Sequence, residues 1–225
     1  MDAASTRQRF VERHLDPASR LGEILFGLIM VLSITLTAGV TIGEGEASER
    51  QLLWAAIGCN IAWGIIDGIM YIMNSLTERS GRMRLIRKVR AAPTPAAALE
   101  LIRSEFDPDL EPLTGAADRE SLYQAMLKHL PTEPRAWNRV QRDDLMGALA
   151  CFWLVFLSCL PAAVPFLIFP EPRFALRVSN FLLIGMLFLV GQKWGQYAHT
   201  HRLLAGLVMV AIGLCLVGVA ILLGG

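Results

Sequence analysis

Charge is scarce in this sequence. Asp, Glu, Lys and Arg supply 18% of its 225 residues, and residues 203–223 hold none. With 54% hydrophobic residues and a mean hydropathy of +0.46, the chain reads as an all-α polytopic membrane protein. Cysteine is sparse too: Cys59, Cys151, Cys159 and Cys215 fall inside apolar runs with no CxxC pair. Disulfide and zinc readings are weak, and small buried hydrophobes are the simpler one. The sequence also lacks HExxH, Gly-x-Ser-x-Gly, a Walker loop and Gly-x-Gly-x-x-Gly, which argues against common hydrolases and nucleotide-driven pumps. A net charge of +1 gives no reason to expect a nucleic-acid partner.

Long apolar runs are what the sequence has instead. Residues 52–76, LLWAAIGCNIAWGIIDGIMYIMNSL, suffice for a membrane helix and enclose one acid, Asp67. At helical spacing Asn60, Trp63, Gly64, Asp67, Met70, Tyr71 and Asn74 share a face, and Ile61, Ile65, Ile69, Ile72 and Leu76 lie opposite. The isoleucine stripe is expected toward lipid and the polar stripe toward protein or water. An acid inside a membrane costs at least about 2.5 kcal/mol on insertion scales, so Asp67 demands a function, a partner or a proton.

In chain order, residues 1–20 form a polar arm with Arg7, Arg9, Arg13 and Arg20, expected near the membrane surface, with no cleaved signal peptide. A first span, Leu21 to Ile42, carries Glu23, Gly27, Met30, Ser33, Thr37 and Thr41 on one face. An acidic turn, GEGEASE, joins it to the second span. Residues 77–144 are polar and read as a helical cytoplasmic insert. The insert opens with Arg79, Arg82, Arg84, Arg87, Lys88 and Arg90, a topology signal attracted to anionic lipid. Thr94-Pro95 caps a helix with Leu99, Ile102 and Phe106 on its apolar side. Asp118 opens another, with Leu122, Met126 and Leu130, stopped by Pro131; Asp107, Asp109 and Glu111 form an acidic linker between the two. Spans three to five are Leu145 to Phe169 with Pro161 and Pro165, Ala175 to Tyr197 with Gly191-x-x-x-Gly195, and Leu203 to Leu223.

Five spans with the N-terminus inside put 18 of the 21 Lys and Arg on the cytoplasmic side and leave Arg50, Arg173 and Arg177 outside. Glu23, Asp67 and Lys193 then share the inner half of the membrane. Asp67 lies about 9 Å of helix from the end of its span, too deep for a short side chain to reach water easily.

This layout, with EILFGL at Glu23 to Leu28, GCNIAWGIIDGIMYIMNSLTER in the second span, LPAAVPFL ending the third and GLVMVAIGLCLVGVAILLGG at the end, resembles the vacuolar iron transporter family. The resemblance implies a homodimer in a bacterial inner membrane that carries Fe2+ or Mn2+ out of the cytoplasm in exchange for protons. It places Met30 about where the family has a first-span acid, Asp67 and Met70 at the second-span acid and methionine, and Asn60 at a further position that an acid could occupy. The insert has Glu100, Glu105, Glu111 and Glu120 without a repeated Glu-x-x-Glu pattern.

Two readings of the polar residues stay open. In one, Asp67 and Met70, helped by Met30 and Glu23, bind a soft divalent metal as cargo, with no permanently bound cofactor. In the other, Asp67 is protonated or pairs with Lys193 or a tyrosine, and the five helices anchor residues 77–144 for a partner or anionic lipid. Glu23 then reads as a solvated first-turn acid. Asn60 and Asn180 are expected to hydrogen-bond across helices, and His199 and His201 to be surface residues. His14 and His129 have no ligand-like neighbours in the sequence.

Overall fold

The computed structural model describes residues 10–41, 46–130 and 139–223, except for the side chains of 37–41, 46–50, 52, 53, 172, 220 and 221. Among these residues all regular structure is helical. The helices are α1 Pro17–Thr41, α2 Glu46–Arg90, α3 Pro95–Leu110, α4 Ala116–Lys128, α5 Arg142–Ile168, α6 Pro172–Tyr197 and α7 Arg202–Leu222, and a shorter helical stretch at residues 10–14 precedes α1. Five of them, α1, α2, α5, α6 and α7, are long and apolar enough to cross a membrane. Four of them, α1, α5, α6 and α7, begin and end within about four residues of the expected spans, because an apolar run of this length has few other ways to satisfy its backbone, whereas α2 starts six residues before and ends fourteen residues after the expected 52–76. The chain divides into two compact units, Met1–Ile72 with Arg142–Gly225 and Met73–Gln141.

The first unit is built on α1, α5, α6 and α7, whose meeting faces bury Leu28, Val31, Leu32, Leu183 and Leu187. Small residues allow the close approach. A Cβ on Gly191 would lie 2.7 Å from the Ala205 carbonyl oxygen, and one on Gly195 would lie 2.7 Å from the Ala205 Cβ, so Gly191-x-x-x-Gly195 packs against α7 as its spacing predicts. Between α1 and α6 the Thr35 hydroxyl donates to Asn180 Oδ1 at 2.7 Å, and between α6 and α5 the Ser179 hydroxyl donates to the Ala162 carbonyl at 2.8 Å. Asn180 is thus the cross-helix partner that the sequence suggests. Asn60 is not: its amide donates to the Ala56 carbonyl of its own helix at 3.1 Å. Pro161 and Pro165 lie inside α5 without ending it.

The second unit wraps the last part of α2, α3 and α4 around Val89, Ala98, Ile102 and Tyr123. Thr94 caps α3 by accepting from Ala97 N–H at 3.2 Å, with Pro95 in the first turn as expected. Other expectations need correction. The basic run from Arg79 to Arg90 is part of α2, which continues unbroken to Arg90 because Leu85 and Val89 of that stretch have a core of their own to fill. Asp107 and Asp109 belong to α3, Pro108 between them included, so of the expected acidic linker only Glu111 lies beyond the helix. Asp107 accepts from the Tyr123 hydroxyl at 2.7 Å and pairs with Arg119 at 3.1 Å, which holds the helix together past its proline. Helix α4 starts after Gly115, so Asp118 sits in its first turn, where a negative charge meets the helix dipole. Its core residue is Tyr123, 1% exposed, whereas Leu122 is exposed. The GEGEASE turn is shorter than expected, since residues from Glu46 on are helical. Arg7, Arg9, Ile42, residues 43–45 of that turn and Pro131 lie outside the described residues.

Candidate functional site

Glycine sets the geometry of the polar seam in the first unit. On α2 the buried positions are Ala56, Asn60, Gly64 and Gly68, one stripe at helical spacing, with Asp67 and Tyr71 half-buried along it. A Cβ on Gly64 would lie 3.0 Å from the Phe152 ring and 3.2 Å from its carbonyl oxygen, and one on Gly68 would lie 3.0 Å from the Ala148 carbonyl oxygen. On α5, Gly147 leaves room for the Tyr71 ring. On α1, a Cβ at Gly27 would collide with the Ser158 side chain and approach the Val155 carbonyl oxygen to 2.9 Å. Thus α1 and α2 both lie close on α5, and what projects from that junction is forced together.

The groups brought together are Glu23, Asp67 and Cys151. The side chain of Glu23 lies within interaction range of both the Asp67 carboxyl and the Cys151 thiol. Cys151 is buried, and Glu23 Oε2 is buried with no hydrogen-bond partner. Seven residues beyond Asp67 on the same stripe, Asn60 is 0% exposed and its Oδ1 also lacks a partner.

The expected ligand set is therefore redrawn. Glu23, read from the sequence as a solvated first-turn acid, is the direct partner of Asp67. Met70, although only one turn from Asp67, is 52% exposed and lies on the flank that carries Trp63, away from α5. Met30 is seven residues from Glu23, about 10 Å of helix rise, too far to share one ion with it. Lys193 is exposed, and the partner of Asp67 is Glu23 rather than Lys193. Of the opposite stripe, Ile61, Ile65 and Ile69 are exposed, whereas Ile72 and Leu76 are half-buried. Among the described residues no group of three or more His, Cys, Asp or Glu side chains is placed to hold a metal ion. His199, with φ 52°, and His201 lie exposed at the turn between α6 and α7. His129 caps α4, and the His14 ring bonds the Phe10 carbonyl at 2.9 Å.

Sequence reasoning missed Cys151 and Gly64-x-x-x-Gly68. The glycine pair was legible in GIIDG, whose spacing places both residues on one helix face with the acid between them. The thiol was not, because nothing local distinguishes it from the other apolar-run cysteines.

No protein-family model matches the chain, and no curated protein matches it.

Proposed function

We propose that the chain is an integral membrane protein that exchanges a divalent metal ion, Fe2+ or Mn2+, for protons, as its resemblance to vacuolar iron transporters implies. The observation that carries the reading is the adjacent carboxyl pair, Glu23 with Asp67, inside two helices able to cross a membrane. Two carboxylates stripped of water and of counter-charge repel, so the pair must be neutralised. A shared proton meets part of that need, and one divalent cation meets all of it. Binding the cation then expels the proton, and return of the proton expels the cation. Donors beyond the two carboxyls come from water or backbone. The Lys and Arg bias orients the chain with its N-terminus in the cytoplasm of a bacterial cell and its C-terminus outside. A second copy, packed on the broad exposed face of α2, makes the working form a homodimer.

The test is uptake of Mn2+ or Fe2+ into liposomes that hold the purified protein and an internal pH dye. Wild type moves metal one way and protons the other, and Asp67→Asn and Glu23→Gln do neither. Retained metal flux in both variants sinks the role of the pair.

The core of the second unit, around Ile102 and Tyr123, favours a second reading, a membrane-anchored module that presents this unit to a partner or to anionic lipid through Arg82, Arg84, Arg87, Lys88 and Arg90. Absence of flux in the wild-type protein, with vesicle binding that falls when these residues are neutralised, is what it requires.

A further inference from the structure

We propose that residues 10–15 form an access gate over the Glu23–Asp67 pair, latched by the Tyr71 hydroxyl on the His14 carbonyl. In the arm, Leu15 is buried, 5% exposed, in one apolar cluster with Ala150 and Cys151, and Phe10, Val11, Leu154 and Tyr71 pack around them. Cys151 is also the residue beside Glu23, so the arm lies one side chain away from the pair. Glu23 sits six residues into α1 and Cys151 nine residues into α5, near the end of the unit where both helices begin. The arm therefore covers the pair on the side from which water would arrive by the shortest route.

The backbone makes the arm a separate moving part. Leu15 N–H closes its turn on the Val11 carbonyl at 3.0 Å, leaving the His14 carbonyl without a helical partner, and Tyr71 donates to it at 3.0 Å. Helix α1 starts afresh just beyond, where Asp16 Oδ1 accepts from the Ala18 and Ser19 N–H groups at 2.9 and 3.0 Å and Pro17 opens the first turn. Both sides of the Leu15–Asp16 joint are internally bonded, so rotation there moves the arm without unwinding α1. Among the described residues three apolar side chains, the Tyr71–His14 hydrogen bond and a half-exposed ion pair between Glu12 and Arg20 at 3.4 Å hold it down, few enough for local opening while the bundle stays folded. Its role as the gate for cargo rests on the proposed transport; the covering of the pair does not.

The test reads water access directly. Full-length protein in liposomes is treated with a membrane-impermeant maleimide, and modification of each cysteine is followed by peptide mass spectrometry. Cys159, buried and farther along α5, reports general loosening. Tyr71→Phe, which removes only the latch hydroxyl, should raise the rate at Cys151 roughly two- to tenfold. Leu15→Asp should raise it more than about tenfold, with Cys159 unchanged in both. An unchanged rate at Cys151 in Tyr71→Phe, or equal gains at Cys151 and Cys159 in that variant, overturns the gate, whatever Leu15→Asp does to folding. Faster labelling of Cys151 in a protein that moves no metal leaves the gate standing and removes the transporter reading.

Discussion

The carboxyl of Glu23 in α1 and that of Asp67 in α2 lie side by side although 44 residues separate them in sequence. Groups in direct contact do not contribute independently. In a double-mutant cycle on stability, Glu23→Gln and Asp67→Asn together should depart from the sum of the singles by about 0.5–3 kcal/mol. The measurement is denaturation of detergent-solubilised protein. Strict additivity would falsify the pairing.

The close packing of α2 on α5 predicts opposite outcomes for glycines of one helix. Gly68→Leu has no room beside the Ala148 carbonyl and should destabilise by about 1–3 kcal/mol. Gly58 faces open space, so Gly58→Ala should be neutral or gain up to about 1 kcal/mol from helix propensity. Comparing the melting temperatures of the two variants decides it, and equal losses would contradict the packing.

In the second unit, burial, then the hydrogen bond to Asp107, pushes the Tyr123 hydroxyl above its ordinary pKa of 10.0. The folded state thus holds the phenolic proton more tightly than the unfolded one. Its stabilisation is complete below pH 10.0 and is lost as pH rises toward the raised value. Tyr123→Phe should flatten this alkaline decline, as followed by unfolding between pH 8 and about 11. A decline of the same steepness in the variant would rule out Tyr123 as its source.

At the start of α1, the hydrogen bond from the Ser19 hydroxyl, and then that from its backbone N–H, holds the Asp16 carboxyl below its ordinary value of 3.8. A depressed folded value means that the cap contributes fully above that ordinary value and is lost as pH falls through the folded one. Asp16→Ala should cost about 1 kcal/mol at neutral pH and nothing once Asp16 is protonated in both states. Stability measured at pH 7 and in acid checks the sign; a larger difference in acid would reverse it.

The spans were legible because a run of twenty apolar residues has essentially one conformation in lipid. The start of α3 was legible because Thr94-Pro95 is local chemistry, as was the outward face of Ile61, Ile65 and Ile69. The insert was read less well. Asp107, Pro108 and Asp109 have the composition of a linker, and only contact with Tyr123 and Arg119 made them helix.

By itself the sequence determined five helices able to cross a membrane, an acid within the second and a polar helical insert after it, since each depends on length, hydropathy or capping within one segment. Tertiary structure alone decided which groups meet that acid. Helical periodicity gives the face of a residue but neither the rotation of one helix against another nor their offset along the axis. Those depend on where backbones come closest, at Gly27, Gly64, Gly68 and Gly147 against their neighbours. Their placement turned Asp67 toward Glu23 and Cys151, left Met70 on the outside, and put Leu15 over the junction.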